Sequence, residues 1–386
     1  MEVPMKVVVN RQALVNVLGL ATAVVPTRTP KPVLSCVRLN TASTPNGRVL
    51  RCVCTDLEIT LETFLSQVDI KQEGLALLPA NKLAEIVNNS PDETLTLEVH
   101  AEKTTLKGAD STFTLLGYNP EEFPPISAFE GTADLTIPAG RLKLMLDRTR
   151  FAAAKEMTRY AMNGVLIERK DKKLFLVATD GHRLAQARDE MNTDNDKPVS
   201  AIVPLKAITL LERLLADAEA IVQLQFRENK LFAQILTGVD AKKADHRTVT
   251  ASLSAALVEG TFPPYQDVIP KDCDHKAVLN RERFQSAVGR AALLTNQESQ
   301  SVRLSFTPKL LAIIGRAPEM GEARIEMPIE YNTEPMDVGF NPTYLLDALK
   351  VAPTDEITLE LRSPGKPGLL RAGNNFLYVI MPVNLS

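Results

Sequence analysis

The sequence of 386 residues lacks the motifs that identify most enzymes. It contains no GxGxxG, HExxH or GxSxG pattern, and the stretch SPGKPG at residues 363–368 is too short and too rich in proline for a phosphate-binding loop. Its four histidines lie in dissimilar, scattered contexts, whereas a metal site needs several ligands at suitable spacing. We therefore expect no catalytic residues, no bound metal and no cofactor.

Cysteine pairs, apolar runs and aromatic residues are also scarce. Cys36, Cys52, Cys54 and Cys273 form no CxxC motif, so we expect buried thiols in strands rather than a zinc site or a redox pair. No apolar run approaches the roughly 20 residues that span a bilayer, and the N-terminus lacks the apolar stretch of a signal peptide. These absences predict a cytoplasmic protein without a membrane partner. An aromatic content of 5% offers no stacking platform for bases.

The most informative feature that is present is a threefold repeat. Each third of the chain shows a strand, an amphipathic helix, several strands, a second helix and more strands. Each copy has the length of a domain, which is typically about 100–150 residues. The predicted domains are residues 1–131, 132–272 and 273–386. The predicted helix starts, two in each domain, are Asn10, Pro79, Pro138, Pro204, Asn280 and Asn341.

The strand pattern predicts an α+β fold. The run TLTLEV at residues 94–99 alternates apolar and polar residues, as a strand with one buried face does. Helices and sheets must each bury one face, and the simplest arrangement places both helices of a domain on one face of an antiparallel sheet. Phe-Pro-Pro at residues 123–125 and 262–264 marks the two crossings between domains, where proline stiffens the chain.

The charges are unevenly distributed along the chain. The net charge is −3, yet the six predicted helix segments hold twelve basic and five acidic residues, so they have a net charge of +7 and the remainder has −10. A basic helical surface attracts phosphates without identifying bases, which favours sequence-independent DNA binding. The alternative is that these residues only make the helices soluble. The basic helix residues predicted to bind DNA are Arg141, Lys143, Arg148, Arg150, Lys206, Arg213, Arg281 and Arg283.

The densest polar cluster is ATDGHRL at residues 178–184. Asp180 and His182 together suggest a hydrolase, but catalysis also needs a nucleophile and an orienting group. An Asp-Gly pair is typical of a tight turn, and TDLE at residues 55–58 occupies the same position in the first repeat, so we favour a turn or a binding surface. The C-terminal MPV at residues 381–383 forms either an ordinary last strand or the apolar lip of a peptide groove beside this turn.

Six motifs occur in an order that points to one family, namely TDLE at Thr55, NG at Asn163, ATDGHRLA at Ala178, FPPY at Phe262, NPTYLLDAL at Asn341 and YVIMPV at Tyr378. Together, over essentially the whole chain, they resemble the bacterial sliding clamp, the beta subunit of DNA polymerase III. The resemblance implies a head-to-tail homodimer with three similar clamp domains in each protomer. These domains would close a six-domain ring, with antiparallel sheets outside and two helices per domain lining the hole.

The resemblance also implies a function. The chain would be a processivity factor without catalytic activity, which encircles duplex DNA and slides on it. It would tether the replicative polymerase, the clamp loader and repair proteins through short peptide motifs.

Three sets of site residues follow from the same resemblance. The peptide-binding pocket, between the second and third domains, would comprise Met162, Thr179, Gly181, His182, Arg183, Leu184, Pro263, Val268, Val379, Ile380, Met381, Pro382 and Val383. Further DNA contacts would be Arg28, Arg159 and Tyr160. The dimer interface would join Phe113 and Leu115 of one protomer to Leu293 and Leu294 of the other.

Three departures from the family pattern affect these predictions. Asp267 stands by the pocket where a basic residue is familiar, which disfavours acidic peptide flanks, and Asn384 also replaces a basic residue. Asp110-Ser111-Thr112 stands where basic residues are expected, so the apolar part of the interface is the firmer prediction. Two alternatives remain open: a peptide-binding scaffold that does not bind DNA, and a hydrolase that uses Asp180 and His182.

Overall fold

A computed structural model describes residues 4–44, 46–156, 161–191, 197–238, 248–295 and 301–385. Within these ranges the chain forms 25 strands and six α-helices, and every strand pairing is antiparallel. The same element order recurs three times: one strand, one helix, four or five strands, a second helix and three strands. The predicted threefold repeat and α+β class are therefore confirmed.

The bounds of the elements follow the repeats. The first repeat contains β1 (Met5–Asn10), α1 (Arg11–Val24), β2 (Cys36–Thr44), β3 (Gly47–Thr55), β4 (Ile59–Leu65), β5 (Val68–Gln72), β6 (Leu75–Pro79), α2 (Ala80–Asn89), β7 (Thr94–His100), β8 (Lys103–Lys107) and β9 (Thr112–Leu116). The second contains β10 (Leu135–Pro138), α3 (Ala139–Asp147), β11 (Gly164–Lys170), β12 (Lys173–Thr179), β13 (Arg183–Glu190), β14 (Val199–Pro204), α4 (Leu205–Leu214), β15 (Ile221–Arg227), β16 (Lys230–Thr237) and β17 (Thr248–Ala256). The third contains β18 (His275–Asn280), α5 (Arg281–Ala291), β19 (Val302–Thr307), β20 (Leu310–Ala317), β21 (Gly321–Pro328), β22 (Met336–Phe340), α6 (Pro342–Val351), β23 (Glu356–Leu361), β24 (Gly368–Ala372) and β25 (Phe376–Ile380).

Asparagine caps explain three of the helix starts. The side chains of Asn10, Asn280 and Asn341 accept hydrogen bonds at 2.9–3.0 Å from backbone N–H groups in the first turns of α1, α5 and α6. Such caps satisfy donors that have no partner within the helix. The sequence predicts a third helix over residues 138–154, but this is too long, because α3 ends at Asp147 and a 3₁₀ turn follows at Arg150–Ala152. Between them, Thr149 leaves the helical region, and its hydroxyl donates to the carbonyl of Met145 at 2.8 Å.

The first compact unit comprises Met1–Lys143 and Thr209–Leu257. Its sheets have the strand orders β5-β1-β7-β8-β9 and β10-β15-β16-β17-β4-β3-β2-β6. The second sheet joins two repeats, because β17 pairs with β4 in a register that places Leu253 opposite Leu61. Leu14 and Leu18 of α1 are fully buried in this unit, which is the amphipathic pattern predicted for the helix.

The second compact unit comprises Leu144–Ile208 and Val258–Ser386. Its sheets have the strand orders β14-β11-β12-β13-β25-β24-β23-β18 and β21-β20-β19-β22. Here β25 pairs with β13, and Leu184 lies opposite Val379. Phe284, Phe306 and Phe340 are fully buried in its core.

Each of the four sheets has an edge strand at either end, and β9 and β21 are two of these eight strands. In the described residues, β9 pairs only with β8, and β21 pairs only with β20. An edge strand leaves a row of backbone donors and acceptors open to another chain. Exposed apolar side chains accompany the first edge, since Phe113 and Leu116 on β9 are 41% and 65% exposed.

The cysteines largely follow the prediction. Cys36, Cys52 and Cys54 are buried in strands and free, and burial raises the pKa of the Cys52 thiol to about 12. Cys273 is a correction, because it is half-buried and lies outside the strands. None of the helices in the described ranges combines the length and apolar character needed to cross a bilayer.

Candidate functional site

The second unit contains an open cavity of about 350 Å³ with mostly apolar walls. Its floor is the pair of β12 and β13 with the turn between them, and the end of β25 and the segment 263–268 form its sides. The lining residues are Met162, Thr179, Gly181, Arg183, Leu184, Pro263, Pro264, Tyr265, Asp267, Val268, Val379 and Met381. Concave apolar walls with a few polar groups are typical of ligand sites.

The turn from Thr179 to Arg183 is held by its own side chains. The Thr179 hydroxyl donates to the carbonyl of Arg183 at 2.7 Å. Asp180 Oδ1 accepts the backbone N–H groups of His182 and Arg183 at 2.9 and 3.0 Å. Gly181 has φ +88°, which glycine adopts without strain. The turn prediction is confirmed, and the Asp180 carboxylate is occupied in holding it.

Arg183 is a buried cation beneath the cavity, with 9% of its surface exposed. Its Nε and Nη1 atoms contact Asp180 Oδ2 at 3.0 Å and Asp347 Oδ2 at 2.8 Å, and Nη2 donates to the carbonyl of Phe151 at 2.8 Å. The guanidinium carbon lies 4.4 Å from the ring centroid of Tyr344. Burial alone lowers the pKa of Arg183, but Asp347, Tyr378 and Asp180 together outweigh burial and raise it. The residue thus links the turn to α6.

The segment 263–268 is anchored by Tyr265. This side chain is buried, and its hydroxyl donates to Glu168 Oε2 at 2.7 Å. Its ring meets Phe262 edge-on with centroids 6.3 Å apart. Burial, followed by the nearby Glu168 carboxylate, raises the pKa of Tyr265. The anchor fixes the 3₁₀ turn Tyr265–Asp267, so that the exposed side chains of Asp267 and Val268 line the cavity.

The cavity contains many of the residues predicted for the pocket, but four predicted residues do not line it: His182, Ile380, Pro382 and Val383. Successive side chains on β25 point to opposite faces, so Val379 lines the cavity while Ile380 is fully buried on the other side. The backbone of His182 contributes instead, because its carbonyl accepts the Met381 N–H at 2.9 Å. The backbone N–H of Val383 donates to the Gly339 carbonyl at 2.9 Å.

Three lining residues were absent from the predicted pocket: Pro264, Tyr265 and Asp267. The first two belong to the FPPY motif that was used to predict Pro263, so the motif itself provided a signal for them. Asp267, which follows two residues later on the same 3₁₀ turn, was predicted to stand by the pocket without being counted among its walls.

The basic residues of the first unit differ in their surroundings. Arg28 is exposed in the loop after α1. Arg213 on α4 is exposed, and its Nη2 donates to the Gly19 carbonyl at 3.0 Å. Lys143 is half-buried and lies 3.6 Å from Glu212, and Arg141 is also half-buried. Part of the positive charge counted on the helices is therefore balanced within the protein.

The second unit shows the same mixture. Lys206 and Arg283 are exposed, whereas Arg148 and Arg150 are half-buried. Burial lowers the pKa of Arg148, against the opposing effect of Asp189 and Asp147. Arg159 and Tyr160 lie outside the described residues.

Arg11 and Arg281 occupy equivalent positions at the starts of α1 and α5. Arg11 donates to the carbonyl of Val87 at 3.4 Å, and Arg281 donates to the carbonyl of Leu349 at 3.5 Å. Each guanidinium thus lies at the C-terminal end of the second helix of its repeat, where free carbonyls attract cations. Arg281 also lies 3.7 Å from Asp355, so a carboxylate within the protein already balances its positive charge.

The residues predicted for the dimer interface divide into exposed and buried groups. Phe113 and Leu293 are exposed, Leu294 is half-buried, and Leu115 is buried within its own unit. Leu116, which was not predicted, is 65% exposed on the same edge strand.

Comparison with known proteins identifies the family. Residues 5–127, 136–264 and 266–384 match the models of the N-terminal, central and C-terminal domains of the DNA polymerase III beta subunit. The chain belongs to the DNA polymerase III beta subunit family. Relatives include the beta sliding clamp of Pseudomonas aeruginosa, which is 32% identical over 98% of this chain and 99% of its own length.

Solved structures agree with this membership. The sliding clamp of Bacillus subtilis is 26% identical and superposes with a TM-score of 0.88, covering 99% of this chain and all of its own. A P. aeruginosa sliding clamp bound to griselimycin is 32% identical, with a TM-score of 0.86 and the same coverage. The clamp family and the fold class predicted from the motifs are confirmed.

Family membership also decides between the functional hypotheses. Beta sliding clamps are processivity factors of DNA polymerase in DNA replication, and they are not enzymes. The leading functional prediction is confirmed at this level, while the scaffold and hydrolase alternatives receive no support. The geometry of Asp180, whose oxygens hold a turn and a buried arginine, agrees with this outcome.

Proposed function

We propose that two copies of this chain close head to tail into a six-domain ring around duplex DNA, and that the cavity holds peptide segments of partner proteins. The observation that supports the ring is a strand pairing that occurs twice within the chain. The last strand of the second repeat, β17, pairs with β4 of the first, and the last strand of the third, β25, pairs with β13 of the second.

One further pairing of this kind is possible. The last strand of the first repeat is β9, and the counterpart of β4 and β13 in the third repeat is β21. Both are edge strands in the described residues. Pairing β9 of one protomer with β21 of the next repeats the existing junction between chains, and a second such pairing closes the assembly. A head-to-tail interface whose rotation closes gives a ring rather than a filament.

The side chains at these edges suit an apolar interface. Phe113 and Leu116 beside one edge and Leu293 near the other are exposed, and Leu293 is the most exposed of the three at 76%. On β21, Arg324 and Glu326 pair with each other at 2.9 Å, so these two charges already have partners within the protomer. We therefore assign the binding energy to apolar burial and backbone pairing.

DNA would be held through its phosphates. Arg28, Lys206, Arg213 and Arg283 are exposed, which makes them the strongest contact residues of the predicted set. The half-buried basic residues would contribute to the positive electrostatic potential around the DNA more than to direct phosphate contacts. They are Arg141, Lys143, Arg148, Arg150 and Arg281. Arg159 and Tyr160 are proposed from the family resemblance alone. Phosphate contacts position a protein without selecting sequence, so the ring could slide.

The cavity would bind short apolar peptides from the replicative polymerase, the clamp loader and repair proteins. Its walls offer Met162, Leu184, Val268, Val379 and Met381 as contacts for large apolar anchors. A cytoplasmic location belongs to the same proposal, since these partners act on chromosomal DNA.

The topological part of the proposal is tested on circular DNA. The protein is loaded onto nicked circular DNA with a bacterial clamp loader, and half of the sample is then cut once with a restriction enzyme. Gel filtration should show the protein retained on circles and released from cut DNA. Cut DNA whose ends are blocked by streptavidin is the control and should retain the protein. Equal retention on circles and on open linear DNA would contradict encirclement.

A further inference from the structure

Two charged residues line the cavity, Arg183 and Asp267, and their surroundings differ. The Arg183 guanidinium is buried between the carboxylates of Asp180 and Asp347, with its remaining donor on a backbone carbonyl. Its charge is therefore balanced within the protein. The other polar groups of the wall are also engaged, since the hydroxyls of Thr179 and Tyr265 both donate to protein acceptors.

Asp267 is the exception. Its side chain is exposed, and no lysine, arginine or histidine of the described ranges lies within ion-pair distance of its carboxylate. The backbone of this residue is nevertheless fixed, because its N–H donates to the Pro264 carbonyl at 3.1 Å and the adjacent Tyr265 is anchored on Glu168. Among the described residues, the apolar cavity thus has one negative charge without an ion-pair partner, on a residue whose backbone is held in place.

We propose that Asp267 selects peptides in which a lysine or arginine stands beside the apolar anchor. The inference rests on the proposed function of the cavity as a peptide site. A cation close to the carboxylate gains Coulomb energy, and an acidic residue at the same place is repelled. Exposed ion pairs change an affinity by up to about fivefold, and salt screens them. Apolar anchors supply the affinity, and Asp267 supplies a preference between flanking residues.

The test uses the full-length chain and a set of fluorescein-labelled pentapeptides. Each contains two leucines and one phenylalanine as anchors, with lysine, serine or glutamate placed at each non-anchor position in turn. Fluorescence polarisation gives the affinities at 25 mM and 500 mM salt, values chosen because the screening length falls from about 20 Å to about 4 Å between them. At the sensitive position, lysine should bind about fivefold more tightly than glutamate at low salt, and the ratio should approach one at high salt.

Substitutions then assign the preference to one carboxylate. Asp267→Asn should reduce the lysine-to-glutamate ratio to about one, and Asp267→Lys should invert it. Asp272→Asn is the matched control, because Asp272 is also exposed and acidic but does not line the cavity, so its ratio should stay unchanged. All variants should keep the thermal midpoint of the parent, since both side chains are exposed.

The outcomes separate the two proposals. Tight binding with equal affinity for lysine and glutamate peptides, or a ratio that persists in Asp267→Asn, would overturn the role of Asp267 and leave the peptide site standing. If no peptide binds at all, both the peptide site and the selectivity are overturned.

Discussion

The two junctions between repeats share a backbone plan and differ in their side chains. The first junction consists of the turn at residues 55–59 with β4 and β17, and the second consists of the turn at residues 179–183 with β13 and β25. In each turn a threonine hydroxyl donates to the carbonyl four residues later, at 2.9 Å for Thr55 and 2.7 Å for Thr179. In each, an aspartate oxygen accepts two backbone N–H groups.

The difference lies in the side chains that border the cavity at each junction. Five residues after each threonine, the chain pairs with the last strand of the following repeat, as Thr60 with Ser254 in the first junction and Leu184 with Val379 in the second. The polar pair borders a cavity of about 50 Å³, whereas the apolar pair borders the cavity of about 350 Å³.

The arginine beneath the second cavity has no counterpart in the first junction. The residue equivalent to Arg183 is Ile59, which is buried in an ordinary apolar core. The comparison teaches that the repeated fold specifies where a groove can form. A few side chains determine whether a groove forms there. These differences, rather than the fold, predict a peptide site at the second junction and none at the first.

The largest expected effect is on Arg183. Arg183→Met removes a buried cation and leaves two carboxylates without it, which costs about 3 kcal/mol. The thermal transition of the second unit should fall by about 6–12 °C, because 1 kcal/mol shifts a unit of this size by about 2–4 °C. Scanning calorimetry measures the shift. The apolar counterpart Ile59→Val is the control, and its cost should stay near 1 kcal/mol. A stability equal to that of the parent would show that the arginine is not what distinguishes the second junction.

A smaller effect is expected when the cavity wall of the second junction is given a polar side chain like that of the first. Val379→Ser removes apolar contact from the cavity wall and should weaken the pentapeptides by about tenfold, equivalent to about 1.4 kcal/mol. The reciprocal change Ser254→Val, in the first junction, should leave peptide affinity unchanged. Fluorescence polarisation measures both, with the thermal midpoint as a check on folding. An affinity that responds equally to both changes would place peptide binding outside the second cavity.

The smallest effect compares the two turns directly. Leu57 has φ +79° and Gly181 has φ +88°, so a leucine occupies in one turn the left-handed conformation that glycine occupies in the other. Leu57→Gly should stabilise the protein and Gly181→Leu should destabilise it, each by about 0.5–1 kcal/mol, because side chains raise the energy of this region. A Cβ at Gly181 meets nothing within 4 Å, so a steric clash does not enter. Chemical denaturation measures the two midpoints, and shifts of the same sign would refute the equivalence of the turns.

Local features of the fold could be predicted from the sequence. Asparagine side chains mark the starts of α1, α5 and α6, and the Asp-Gly pair marks the turn after β12, because both signals act within a few residues. The pairing of β17 with β4 was not accessible, since periodicity shows which face of a strand is buried and not which strand lies beside it. The end of α3 was missed for a local reason, the hydroxyl of Thr149.

The lining of the cavity could be predicted in part from the sequence. Motifs shared with the family placed Thr179, Leu184 and Val379 on the cavity wall. Ile380 was included because it lies in the same motif, although strand alternation directs it to the opposite face. The balance of charge around Arg183 and its absence around Asp267 depend on residues far apart in sequence, such as Asp347. Only the folded chain brings them together.

The central claim is that the junction found twice within the chain recurs between chains and closes the ring. Sedimentation equilibrium at micromolar concentration tests it most directly, with Phe113→Asp as the edge variant and Leu144→Asp, a leucine that is 53% exposed on α3, as the control. The parent and the control should have twice the mass of the 42.3 kDa chain, and Phe113→Asp should shift toward the mass of one chain. A parent that sediments as a single chain, or a dimer unaffected by a charge on β9, would contradict the account.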